Sequence, residues 1–268
     1  LIIGNACAAY WRYAAQARCV FKNVEELIEV DLIDKVAIVT GSGRGIGKDV
    51  ALFLAEEKCK VVLVARNQTQ LEIVKNEILS SGGVAIAMSL DLSVVSNIDT
   101  LVNTVYDRFG RIDILINNAS ILFKTSFLDV TEEEWDMTMR VNAKAVFLLS
   151  QRVLRVMKEA HSGYIVNVSS TVALGTPAYH ASYGASKHAV VGISQALYET
   201  AKEYGVKVSV IYPGMTDTDM LNEVNPPVPR EHWMKPNDVA ACVLFLLKQS
   251  DLVIIRDLVP WAAGYAKV

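Results

Sequence analysis

The chain has 268 residues, 52% hydrophobic and 21% charged, with a formal net charge of -3. That length holds one large α/β domain or two small ones, and the apolar fraction is enough for a sizeable core. Interspersed acids and bases exclude both the basic stripe of a nucleic-acid binder and the acidic tail of a disordered chain.

Residues 1–30 read as an N-terminal extension without an assigned role. Arg12, Arg18 and Lys22 follow its apolar run rather than precede it, the wrong order for a signal peptide. From residue 35 onward, short β-branched runs alternate with longer amphipathic stretches. The runs are KVAIVTG (35–41), KVVLVARN (60–67), VAIAMSLDL (84–92), IDILINNAS (112–120), GYIVNVSS (163–170) and VKVSVIYPG (206–214). Helical periodicity marks 46–58, 68–80, 94–109, 132–160 and 183–204, and a last strand is expected at 252–259. Strand and helix in alternation predict one parallel sheet with helices on both faces. Segment 213–236 carries five of the seven prolines and reads as a long functional loop, a candidate substrate lid.

Cysteines at 7, 19, 59 and 242 form no Cys-x-x-Cys pair, and histidines at 161, 180, 188 and 232 lack metal-ligand spacing. They predict a cytoplasmic protein with reduced thiols and no metal site. No stretch reaches 18 uncharged apolar residues, so neither a transmembrane helix nor a membrane partner is expected.

In an open parallel sheet, ligands bind beyond the carboxyl ends of the strands. The first such end reads TGSGRGIG (40–47) and opens a helix. Gly41 permits a sharp turn, while Gly45 and Gly47 let backbone approach a ligand and the helix pack on the sheet. With Ser42, Arg44 and Ile46 they form a candidate phosphate cradle at a helix N-terminus. Ile46 breaks Gly-x-Gly-x-x-Gly, which leaves Thr-Gly-x-x-x-Gly-x-Gly. Where an NAD site would place an acid for the ribose 2′-hydroxyl, the chain has Arg66. Arg44 and Arg66 match a 2′-phosphate, and an NAD site would leave both cations without a partner, so NADP(H) is favoured over NAD(H).

Tyr183 and Lys187 stand four apart and share a helix face. A nearby ammonium favours phenolate, so the tyrosine pKa is expected to fall from about 10 toward neutrality. That would make Tyr183 a usable acid or base. Tyr179, also four residues from a tyrosine, has no such lysine and is expected to line or adjoin a substrate pocket.

Over roughly residues 31–250 the chain resembles the short-chain dehydrogenase/reductase family, and among its members the NADP-dependent 3-oxoacyl-carrier-protein reductases and carbonyl reductases. The resemblance rests on TGSGRGIG, Asp91-Leu92, NNAS (117–120), Asn142, Ser170, Tyr183-x-x-x-Lys187 and PGMTDT (213–218), in that order. It implies a single Rossmann-type, doubly wound domain over 31–268. It also implies a catalytic set of Asn142, Ser170, Tyr183 and Lys187. In that reading Tyr183 donates the proton and Ser170 binds the carbonyl oxygen. Lys187 also holds the nicotinamide ribose, and Asn142 anchors a water that passes protons to it. Asp91 and Leu92 meet the adenine, Asn117 and Ala119 lie along the cofactor, and Pro213, Gly214, Thr216 and Thr218 adjoin the nicotinamide. Ser120 stands where the family most often has Gly.

The activity so implied is NADPH-dependent reduction of a carbonyl, whether a 3-oxoacyl thioester, a small ketone or a pterin-like compound. Oxidation of a secondary alcohol and a non-catalytic dinucleotide sensor are the alternatives. The tail lacks the family's Val-Asp-Gly-Gly ending. It leaves homodimer or homotetramer open, with a dimer face expected on helices 132–160 and 183–204.

Overall fold

The computed structural model describes residues 30–224 and 228–263. The expected N-terminal extension lies outside them except for Val30. The β-branched runs form β1 (Val36–Thr40), β2 (Lys60–Ala65), β3 (Val84–Ser89), β4 (Ile114–Asn117), β5 (Gly163–Val168), β6 (Val206–Ile211) and β7 (Asp257–Leu258). They make one sheet in the order β3-β2-β1-β4-β5-β6-β7, every pair parallel.

Between the strands run α1 (Gly45–Glu56), α2 (Gln68–Ser80), α3 (Val95–Phe109), α4 (Glu132–Met139), α5 (Ala145–Ala160), α6 (Ala181–Ala201), α7 (Asp219–Val224) and α8 (Pro236–Leu247). Successive strand residues face opposite sides of the sheet. Ala37 and Val39 pack toward α1, α2 and α8, against residues such as Leu54, Leu71 and Val243. Val36 and Ile38 pack toward α3, α5 and α6, with Leu101, Leu149 and Ala201. Each Leu or Ile buried in these two layers contributes about 1.5–3 kcal/mol. The strand order turns back between β1 and β4, and the crevice there is where a doubly wound sheet binds its ligand.

Three segments differ from the sequence reading. The stretch 132–160 is not one α-helix, because a π-helical turn at Arg140–Lys144 separates α4 from α5. The proline-rich loop is partly ordered into α7 and a 3₁₀ turn at Arg230–His232, and Pro236 begins α8, a helix the sequence reading missed. Proline suits that first position, and the Lys235 N–H donates to the Asp238 carboxylate at 2.7 Å. The last strand shrinks to Asp257–Leu258. Lys207 Nζ binds the carbonyls of Gln249 and Ser250, which holds the chain in a turn and leaves Leu252 97% exposed. Among the described residues no helix is long and apolar enough to cross a membrane.

Candidate active site

The glycine turn is locked to the neighbouring strand by side chains. Thr40 Oγ1 donates to the Ile116 carbonyl at 3.2 Å and accepts from the Asn118 and Ala119 N–H groups at 2.9 and 3.0 Å. The Asn118 amide donates back to the Thr40 carbonyl at 2.9 Å. Gly41 and Gly45 have φ of +66° and +57°, the left-handed region that disfavours side chains. A Cβ on Gly47 would stand 2.3 Å from the Gly41 carbonyl oxygen, so only glycine lets α1 start this close to the turn. No side chain caps α1 and its first turn holds no acid, so its leading N–H groups and positive dipole end remain available to an anion.

Beyond the strand ends lies a cleft of about 1250 Å³. Gly41, Arg44, Gly45 and Ile46 of the cradle line it, as do Arg66, Asp91 and Leu92. Ala119, Pro213, Gly214, Thr216 and Thr218 line the same cleft, with Thr218 against Gly45, and so do Ser170, Tyr183 and Lys187. Burial pushes the Asp91 carboxyl up, but hydrogen bonds from Ser93 and the charges of Arg66 and Arg140 outweigh it and hold the group below the usual range. Tyr179, expected at a pocket, and Met215, from the proline-rich segment, line the same cleft, together with Thr171, Val172, His180, Ile121 and Leu122.

Three expectations are corrected, for Ser42, Asn117 and Arg44, and Asn142 and the tyrosine–lysine pair sit in surroundings that the spacing does not predict. Ser42 turns inward, where its hydroxyl accepts from the Val64 N–H at 2.9 Å, and it is fully buried between β1 and β2. Asn117 is the last residue of β4 and also points into the core, its amide donating to Ser150 Oγ at 2.9 Å and Asn167 Oδ1 at 2.8 Å. Asn118, the next residue, faces the cleft instead. Asn142 is buried in the π-helical turn, its oxygen accepting from the Ile121 N–H at 2.8 Å. Its NH₂ donates to the Ile121 carbonyl at 2.8 Å and to Ser186 Oγ at 3.0 Å. That side chain bolts the segment after β4 to α6, with both of its amide hydrogens engaged. Arg44 has a partner of its own, an exposed ion pair with Asp219 at 2.6 Å that bridges the cradle and α7.

The tyrosine–lysine pair is more deeply buried than its spacing tells. Tyr183 and Lys187 lie on the buried face of α6, at 7% and 3% exposure. Small residues make that depth accessible: a Cβ on Gly184 would meet the Thr176 side chain at 2.3 Å. Lys187 Nζ donates to the Val168 carbonyl at 2.9 Å and sits 5.5 Å from the centre of the Tyr183 ring. With protein groups alone around it, burial pushes the phenol up to about 12, against the hydroxyls of Ser170 and Ser120. Burial likewise brings the Lys187 ammonium down to about 7. Burial thus moves the phenol in the direction opposite to the fall that the spacing predicts. Ser170 caps a 3₁₀ turn, its Oγ accepting from the Val172 N–H at 3.3 Å, with the Pro213 carbonyl at 3.5 Å.

Sequence reasoning missed Asn118 and Asp217. Strand parity would have found the first, since inward-facing Asn117 sends its successor out of the sheet. Asp217 anchors the loop, pairing with Arg230 at 2.7 Å and Lys235 at 2.8 Å, while Thr216 bridges to Met234. No spacing rule links those positions.

The residues present fit a nicotinamide dinucleotide: a glycine cradle that a Cβ would fill, uncapped N–H groups, cations, and a phenol, a hydroxyl and an amine in the same cleft. A family model described as short chain dehydrogenase matches residues 35–229. A 3-oxoacyl-(acyl-carrier-protein) reductase of Synechocystis sp. is 36% identical over 222 residues, 80% of this chain and 90% of that protein. A metagenomic short-chain oxidoreductase solved in complex with NADP superposes with a TM-score of 0.76 at 31% identity, covering 87% of this chain and 99% of that one. A 7α-hydroxysteroid dehydrogenase complexed with NADH and 7-oxo glycochenodeoxycholic acid gives 0.81 at 29% identity, covering 87% and 96%. The chain is an oxidoreductase belonging to the short-chain dehydrogenase/reductase family.

Proposed function

We propose that the protein is an NADPH-dependent reductase that delivers hydride to a carbonyl carbon, with Tyr183 as the general acid. One observation carries the reading: Ser170, Tyr183 and Lys187 converge in the same cleft as the glycine cradle. The bound nicotinamide supplies the hydride, and the chain supplies the proton and the charge stabilisation. Tyr183 donates its proton to the carbonyl oxygen, and the Ser170 hydroxyl donates a hydrogen bond to that oxygen as it becomes an alkoxide. Lys187, when protonated, places a positive charge behind the phenol as it ionises.

NADP(H) is preferred through Arg66, exposed at the cleft, and through Arg44. The Arg44–Asp219 pair is more than half exposed, so its attraction is screened and a 2′-phosphate competes well for the guanidinium. The metagenomic neighbour's NADP supports this choice, and the hydroxysteroid dehydrogenase's NADH means that the fold alone does not make it. The Synechocystis relative supports a 3-oxoacyl substrate, with other ketones as the wider class. Trp135, Met137 and Phe147 are 41–48% exposed on α4 and α5 and support a homodimer through that face.

The test is loss of reduced-nicotinamide absorbance over a panel of 3-oxoacyl thioesters and ketones, with each cofactor in turn. Turnover with NADPH is expected, reduced by at least about 10²-fold in Tyr183→Phe. Near-native turnover in that variant would remove Tyr183 from the mechanism.

A further inference from the structure

Ser120 carries a hydroxyl that the chemistry above leaves unused. Its Oγ is shielded from solvent and makes no hydrogen bond of ordinary geometry. It lines the same cleft as Tyr183 and, with Ser170, opposes the rise that burial imposes on the phenol. A buried hydroxyl without a partner is destabilising, so its persistence calls for an explanation.

We propose that Ser120 is a positioning residue for Tyr183, its hydroxyl turning to donate to the phenolic oxygen as that oxygen gives up its proton. The inference rests on the reading of Tyr183 as the acid. A neutral phenol can spend its own proton on the substrate carbonyl. Once that proton has gone, the phenolate oxygen has only lone pairs and needs donors. Ser170 is already committed to the substrate oxygen, and Lys187 Nζ donates to the Val168 carbonyl. Ser120 has a donor that nothing else claims.

Its backbone is fixed on both sides. The Ala119 N–H is held by Thr40 Oγ1, and both polar groups of the Ile121 backbone are held by the Asn142 amide. The hydroxyl can therefore rotate about its own bond without leaving the cleft. Ser120 keeps its own proton throughout, and the transferred proton passes from Tyr183 to the substrate oxygen. Because the new bond strengthens only as charge develops, it belongs to the transition state and acts on kcat rather than on binding. A glycine here, the residue the family most often carries, would lack it.

Ser120→Ala and Ser120→Gly are the test, with Ser120→Thr as the conservative rescue. Both truncations are expected to lower kcat about tenfold in reduction and in oxidation, leaving KM within about twofold, as befits loss of one hydrogen bond to a charged group. Ser120→Thr should recover most of that loss. An independent readout is the onset of Tyr183 ionisation in the cofactor-free protein. It is followed by NMR on the ring Cζ signal of carbon-labelled tyrosine and assigned through its absence in Tyr183→Phe. The onset should move to higher pH in both truncations and return in Ser120→Thr. An unmoved onset in both truncations, with wild-type kcat, overturns the proposal. A wild-type protein that turns over no carbonyl would instead defeat the reductase reading, and the NMR onset would still decide what Ser120 does to the phenol.

Discussion

Lys187→Met is a sharp test of the buried amine. In the folded chain burial brings this ammonium to about 7, whereas the unfolded chain keeps its proton up to the ordinary 10.5. Between those values the unfolded state binds more protons, so stability rises with pH, by about 1.4 kcal/mol per unit for one group. Across the whole window the effect sums to about 5 kcal/mol, fully opposing the fold at and below its lower end. Methionine has similar length and no proton, so the variant lacks this slope. It does leave the Val168 carbonyl without its 2.9 Å donor, a loss of about 1–3 kcal/mol. Lys187→Met should therefore be more stable than the parent by about 2–4 kcal/mol at neutral pH. That advantage should shrink by about 1.4 kcal/mol for each pH unit above 7. Urea unfolding of both cofactor-free proteins at a series of pH values reads the difference, and groups common to the two cancel. A difference that does not change with pH would show that Lys187 carries no desolvation penalty. Turnover should be lost in the variant at every pH, the usual opposition of stability and activity at a strained site.

Other consequences follow from the cradle and its cations. Gly47→Ala places a methyl 2.3 Å from the Gly41 carbonyl, a backbone atom that cannot swing aside. It should weaken NADPH binding by more than about tenfold and destabilise the fold by about 1–3 kcal/mol, read by calorimetric titration and thermal melting. Unchanged affinity would show that α1 does not need to start so close to the turn. Arg66→Ala should raise KM for NADPH about tenfold, the loss of one charge-assisted contact, while KM for NADH stays within about twofold. Equal effects on both cofactors would take Arg66 away from the 2′-phosphate.

The sheet was legible because its signals are local: β-branched runs of strand length, each followed by a helical period. The glycine turn was legible too, since close approach and positive φ leave glycine as the residue that fits. What escaped depends on parity or distance. Ser42 and Asn117 were assigned to the cofactor by their motifs, but each turns into the core, Ser42 toward β2 and Asn117 toward Asn167 on β5. Asn142 also ties its amide to Ile121 and Ser186, one neighbour 21 residues and the other 44 residues away, contacts that no local spacing reveals. The Arg44–Asp219 pair spans 175 residues and could not be read from spacing. The loop at 213–236 looked irregular because its prolines were read as breakers, while Pro236 is the first residue of a helix.

The tyrosine–lysine spacing predicts the proximity that the structure shows, while burial, which sequence does not report, pushes the phenol opposite to the way the spacing predicts. The two accounts of Tyr183 diverge in an observable way. A proton is consumed in carbonyl reduction, so the ratio of oxidation to reduction kcat/KM must rise about tenfold per pH unit whatever the enzyme does. The phenol pKa decides which direction carries that change. With the phenol held near 12 by burial, Tyr183 keeps its proton throughout the working range. Reduction should then lose only what the Lys187 charge contributes as that ammonium deprotonates near 7 and run flat above that step, where oxidation, which needs the phenolate, should climb about tenfold per unit. With a phenol drawn toward neutrality by Lys187, reduction would fall above that point while oxidation levelled off. Measuring kcat/KM in both directions with one ketone–alcohol pair separates them. The burial account requires a reduction limb that is flat above the Lys187 step, and a limb that keeps falling about tenfold per unit would return control of the phenol to the lysine charge.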